Sequence, residues 1–144
     1  MWKIILLSWL VLLAPGIAQA KPVECEVSAT VRATSPVEPN ADAVGPTGWY
    51  RNTDQTIWVA ITRHGWTNGG NKTYWVRPAG TDLQISGHLQ GHENTVLQTD
   101  IPCCYPTGFQ IVGLIFPVAG CWNVEAVSGE ATLRFTTLVG QRED

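Results

Sequence analysis

Apolar and polar residues alternate along much of this chain with a period of two, which is the period of a strand. Over residues 83–89, Leu83, Ile85, Gly87 and Leu89 fall on one face, and Gln84, Ser86 and His88 on the other. Trp122, Val124 and Ala126 alternate with Asn123 and Glu125. Leu133, Phe135, Thr137 and Val139 form an answering strand after the turn at Ser128-Gly129. Residues 23–32 alternate too, with Val23, Cys25, Val27, Ala29 and Val31 on one face, so they predict a half-buried strand that points Cys25 inward. Three runs are more continuously apolar or β-branched and predict buried strands: residues 56–62, residues 73–77 stopped by Pro78, and residues 109–116 stopped by Pro117.

Between these runs lie turn signals. Residues 33–48 are rich in proline and glycine and read as a long loop. Residues 63–71 (R-H-G-W-T-N-G-G-N) read as a polar turn carrying an aromatic ring, 91–95 as a turn, and 102–108 as irregular. Past the first 20 residues nothing shows helical periodicity. Seven or eight short strands with frequent turns predict an all-β, two-layer antiparallel sandwich. One phase conflict is visible: if Trp122 and Val124 face the core, strict alternation sends Cys121 outward, against an inward Cys25.

The first 20 residues break the pattern. Met1-Trp2-Lys3 carries one positive charge, residues 4–15 are almost wholly apolar, and Ala18-Gln19-Ala20 is an A-x-A cleavage site. This predicts a cleaved export signal at residues 1–20 and one domain at residues 21–144. The apolar run is shorter than the roughly 20 residues a membrane-spanning helix needs. Lys21 stands where a lipoprotein carries its acylated cysteine, so the expectation is a free secreted or periplasmic protein with no membrane span. Without Lys3 the mature chain holds 8 basic and 12 acidic side chains, a net charge of −4. An acidic domain with no basic run offers no electrostatic footprint for nucleic acid.

Export also bears on the four cysteines, because oxidising compartments favour disulfides. Cys25, Cys103, Cys104 and Cys121 allow three connectivities. The preferred pair is Cys25 with Cys121, leaving Cys103 and Cys104 as a second pair or free. A bridge between neighbours is strained, since adjacent Cα atoms lie about 3.8 Å apart and ordinary disulfides want about 4.4–6.8 Å. The two crossed pairings avoid that strain and stay open.

The C-terminal third carries a further pattern: Gly108-Phe109-Gln110, Gly113, Phe116-Pro117, then Gly120-Cys121-Trp122 and Val124. With Cys25 and the run Ile57-Trp58-Val59, it resembles a group of secreted bacterial immunoglobulin-like β-sandwich proteins, many of which look like lipoproteins. This chain departs from them in lacking the acylated cysteine. The resemblance implies the fold, the location and Trp122 as a core residue beside an inter-sheet disulfide; it implies no activity.

Candidate chemistry is sparse. His88 and His92 are four apart, and with His64, Cys103 and Cys104 they are candidates for a soft metal site. The bland reading is solvated surface histidines, and no cofactor is expected. Cys103-Cys104 is also a candidate thiol-redox device. No serine stands in a G-x-S-x-G or S-x-x-K context, so no enzyme is expected. Trp66 and Trp75 lie in or beside glycine- and asparagine-rich turns and are candidate exposed rings for stacking on a glycan. The sequence therefore predicts an exported, disulfide-stabilised, non-catalytic binding or scaffolding module of the cell envelope, with a protein or glycan partner. Its alternatives are a metal or thiol-redox protein and a tryptophan-based carbohydrate binder.

Overall fold

The computed structural model describes residues 24–32, 48–103 and 105–144. The expected export signal lies outside these residues. Ten strands follow in order: β1 (Trp49–Arg51), β2 (Trp58–Ala60), β3 (Trp66–Thr67), β4 (Gly69–Val76), β5 (Leu83–Leu89), β6 (His92–Val96), β7 (Gln98–Asp100), β8 (Phe109–Phe116), β9 (Gly120–Ser128) and β10 (Ala131–Gly140). No helix occurs among the described residues. The strands form two five-stranded sheets, β1-β2-β4-β8-β7 and β3-β10-β9-β5-β6. Pairing is antiparallel except between β3 and β10. The all-β sandwich expected from the alternation is present, with more strands than the seven or eight predicted because short edge segments also pair.

The β9–β10 hairpin is the longest ladder, and its register runs from Ser128 opposite Ala131 to Gly120 opposite Val139. Gly129 opens its turn at φ 59°, a left-handed conformation that glycine adopts without steric cost. From this hairpin Trp122, Val124, Ala126, Leu133, Phe135 and Val139 point between the sheets. There they meet Val59, Trp75, Val112, Leu114 and Phe116 of the first sheet. Trp122 is fully buried and stands edge-on to Phe116, with centroids 5.2 Å apart. Its indole Nε1 donates to the carbonyl of Val118 at 3.1 Å, so the buried polar atom is satisfied.

The expected strand over residues 23–32 does not form. Residues 24–30 have no strand structure, and Val31 makes only an isolated bridge to Trp49. What holds the segment is Ser28: its N–H donates to the Thr136 carbonyl at 2.9 Å, and Thr136 N–H donates to Ser28 Oγ at 2.8 Å. Farther along the same edge, β3 pairs with the last two residues of β10, Val139 opposite Trp66 and Gly140 opposite Thr67. Cys25 and Cys121 are joined, with Cα atoms 5.5 Å apart. Cys121 pairs in register with Leu138, which is 60% exposed, while Trp122 points inward. The bridge therefore lies on the outer face of the second sheet. The inward Cys25 and the inter-sheet staple are both overturned, and alternation about Trp122 was the correct guide.

Two turns also proved to be strands. Residues 63–71 contain β3 and the start of β4, and the Asn71 side chain supplies part of the pairing. Its Oδ1 accepts from Thr67 N–H at 3.0 Å and its Nδ2 donates to the Thr67 carbonyl at 2.7 Å. The turn expected at 91–95 is confined to Gln90-Gly91, and β6 begins at His92. Leu97, 8% exposed, then marks the crossing from β6 in one sheet to β7 in the other. Gly87 makes room for it, since a Cβ there would lie 3.3 Å from the Leu97 side chain.

Candidate functional site

The outer face of the second sheet carries a trough of about 650 Å³. Its floor is two rows of outward side chains crossing three strands. In one row, Ser86 of β5 stands opposite Glu125 of β9, which stands opposite Arg134 of β10. In the other, His88 stands opposite Asn123, and Asn123 opposite Thr136. Ser28 of the disulfide-tied segment borders the trough beyond Thr136, and Glu93 and Val96 of β6 border it on the other side. The strand period of two produces this floor: each outward residue follows an inward one that builds the core.

The trough is polar and partly pre-organised. Arg134 Nε and Glu125 Oε2 form an ion pair, with both side chains well exposed (75% and 39%), so solvent screens most of its stabilising effect. Thr136 Oγ1 donates to Asn123 Oδ1 at 2.9 Å. Ser86 and His88 make no side-chain hydrogen bond among the described residues, so their donors and acceptors are open to a ligand. Alternating donors and acceptors with no aromatic platform suit a hydroxyl- or amide-rich molecule held by hydrogen bonds. The volume lies in the roughly 300–1,000 Å³ range of small-molecule sites.

The residues singled out in the sequence fare differently. His88 lies on the trough floor, half-buried, whereas His92 is exposed at the start of β6 and opposite Leu89, so they share no row. Among the described residues no group of three or more His, Cys, Asp or Glu side chains is placed to hold a metal. Cys103 is disulfide-bonded, which removes the free alternative for that residue; Cys104 lies outside the described residues. Trp66 and Trp75, expected as exposed rings, are 3% and 0% exposed. Both sit in the core cluster, Trp66 stacked on Phe116 at 6.0 Å, so neither offers a face to a sugar. Their glycine-rich neighbours look like a loop in sequence but lie in β4, paired with β8.

A second cluster went unnoticed in the sequence. Arg77, at the end of β4, is 6% exposed. Its Nε donates to Gln110 Oε1 at 2.8 Å, Nη1 to the Pro78 carbonyl at 3.0 Å and Nη2 to the Tyr105 carbonyl at 3.2 Å. Gln110 Nε2 donates in turn to the Pro102 carbonyl at 2.7 Å. One arginine and one glutamine thus hold both flanks of the segment that contains Cys103. The outward polar residues of the trough were legible one strand at a time; the available signal for Arg77 was a cation placed just before the strand-stopping Pro78.

No known protein family, curated protein or solved structure matches this chain.

Proposed function

We propose that this protein is an exported, non-catalytic binding module of immunoglobulin-like type, and that its ligand seats in the trough on the outer face of the second sheet. The observation that carries this reading is the trough itself: two ordered polar rows, walled by a covalently tied segment, with open hydrogen-bonding groups at Ser86 and His88. Export is supported by the leader-like first 20 residues, by the Cys25–Cys121 disulfide, which fits an oxidising compartment, and by the resemblance of the C-terminal third to secreted bacterial sandwiches. The non-catalytic reading rests on the sequence, in which no serine stands in a G-x-S-x-G or S-x-x-K context.

The ligand class that fits is a glycan or another polyhydroxylated molecule, bound by hydrogen bonds instead of ring stacking. Backbone amide NMR of the mature protein against a panel of soluble oligosaccharides tests this. Saturable shifts confined to residues 86–88, 123–125 and 134–136 are expected for at least one member. Shifts confined to another surface, or turnover of a bound sugar abolished by His88→Ala, would overturn the reading.

A further inference from the structure

Independently of the trough, the cluster around Arg77 borders a separate cavity of about 220 Å³, lined also by Asp82, Leu83, Ile101, Pro102, the disulfide-bonded Cys103 and Gln110. We infer that this cavity is a second binding site, for a small zwitterion whose carboxylate meets Arg77 and whose ammonium meets Asp82.

The argument starts from charge. Arg77 is a buried cation, and all three of its side-chain hydrogen bonds go to uncharged oxygens. Buried charges in proteins are ordinarily paired with an opposite charge, because neutral acceptors only partly replace the water that burial removes. A guanidinium has five N–H donors, and three are spent here, so two remain. Its planar fork matches a carboxylate. Asp82 lines the same cavity from its exposed side. Among the described residues the one ion pair is Arg134–Glu125, so Asp82 and Arg77 do not pair with each other. Two opposite charges therefore border one cavity unjoined, and a molecule carrying both complementary charges satisfies each of them.

Size and repulsion narrow the class. The cavity falls below the roughly 300 Å³ at which drug-sized sites begin, which suits a molecule of amino-acid size. A doubly charged oxyanion gains from Arg77 but is repelled by Asp82. A simple carboxylate uses one pole only, and a simple amine the other.

The test is amide NMR of the full mature chain with glycine, acetate, methylammonium and sulfate at millimolar concentration. Glycine is expected to shift the amides of Asp82, Leu83, Ile101 and Gln110 saturably. Acetate and methylammonium should bind roughly tenfold or more weakly, each having lost one charged contact. Asp82→Asn, an exposed substitution, should leave the melting temperature unchanged and bring glycine down to the level of acetate. Arg77→Lys should abolish both; if that variant does not fold, Asp82→Asn alone carries the test. Absence of saturable glycine shifts, sulfate binding as tight as glycine, or glycine binding unchanged in Asp82→Asn would overturn the inference and leave Arg77 as a purely structural clasp. None of these outcomes depends on the trough having a ligand.

Discussion

The two sheets share one core but treat their other faces in opposite ways. In the second sheet every inward apolar residue is followed by an outward polar one over the trough: Val124 by Glu125, Phe135 by Thr136. The first sheet is apolar on its inner face and, around β1, β2 and the adjoining ends of β4 and β8, on its outer face too; farther along that outer face Lys72, Gln98 and Asp100 are exposed. Its inner face supplies Val59, Trp75 and Leu114, and its outer face holds a second cluster of Trp49, Trp58, Ala60 and Val76, all buried. Tyr74 and Phe109 continue that face as a stacked pair 6.3 Å apart. The part of a sheet covered on both faces is a structural slab, whereas a part covered on a single face has side chains to spare. The difference assigns the outer tryptophans of the first sheet to stability and leaves the trough of the second as the surface proposed above for binding.

Substitutions can break this contrast, and the largest effect belongs to the shared core. Trp122→Ala removes a fully buried indole and its bond to Val118. It should cost about 3–5 kcal/mol, a large share of the roughly 5–15 kcal/mol stability of a small domain, readable as a fall in the denaturant midpoint. Next comes the tie across the outer face of the second sheet. The disulfide closes a separation of 96 residues, so Cys25→Ser with Cys121→Ser should lose up to about 4–5 kcal/mol in the chain-entropy model. The same double variant should weaken ligand binding in the trough, since Ser28 is then held by hydrogen bonds alone.

Outward positions sharpen the comparison. Trp58 is 2% exposed, edge-on to Trp49 at 5.8 Å, with its Nε1 donating to the Gln55 carbonyl at 2.8 Å. Trp58→Ala should cost about 3 kcal/mol by thermal or chemical unfolding. Gln84→Ala, outward on the second sheet, should stay within about 0.5 kcal/mol. If the two costs were equal, the division into slab and recognition face would fail. Arg134→Ala should change stability by less than about 1 kcal/mol, because its ion pair with Glu125 is exposed, while reducing ligand affinity in the trough.

The smallest effect is a pH dependence where the sheets meet. Burial pushes the Tyr50 phenol above its ordinary pKa of 10.0, opposed in part by its hydrogen bond to Thr137 Oγ1. In the unfolded chain the phenol ionises near 10, while the folded protein keeps it neutral to higher pH. The contribution of this group is therefore constant below pH 10 and is lost as pH rises through the raised folded value. Tyr50→Phe should flatten the alkaline limb of a stability-versus-pH curve and leave neutral pH nearly unchanged, apart from the lost hydrogen bond.

Much of the fold could be read from alternation, and the failures share one cause. Strands β5, β9 and β10 were legible because their own side chains record which face is buried, and β8 because it is continuously apolar. Residues 23–32 alternate just as well, yet a strand also needs a ladder of partners, and the described part of this segment makes only the Ser28–Thr136 bonds and the Val31–Trp49 bridge to the sheets. Trp66 and Trp75 were misplaced because local glycine content suggested a loop, whereas burial depends on what packs from the other sheet. The outward phase of Cys121 was visible beside Trp122, and the expectation of an inter-sheet staple wrongly overrode it.

The sequence by itself determined the two-residue period, the inward and outward faces of β5, β9 and β10, and the β9–β10 hairpin. These follow from steric and hydrophobic preferences that act between near neighbours in the chain. Only the tertiary structure decided that Ser86, Glu125 and Arg134 form one row and His88, Asn123 and Thr136 another, because strand order and register join residues far apart in sequence. It likewise decided that Arg77 is buried without a counter-charge among the described residues, since burial is a property of the neighbours that fold around a residue and not of the residue itself.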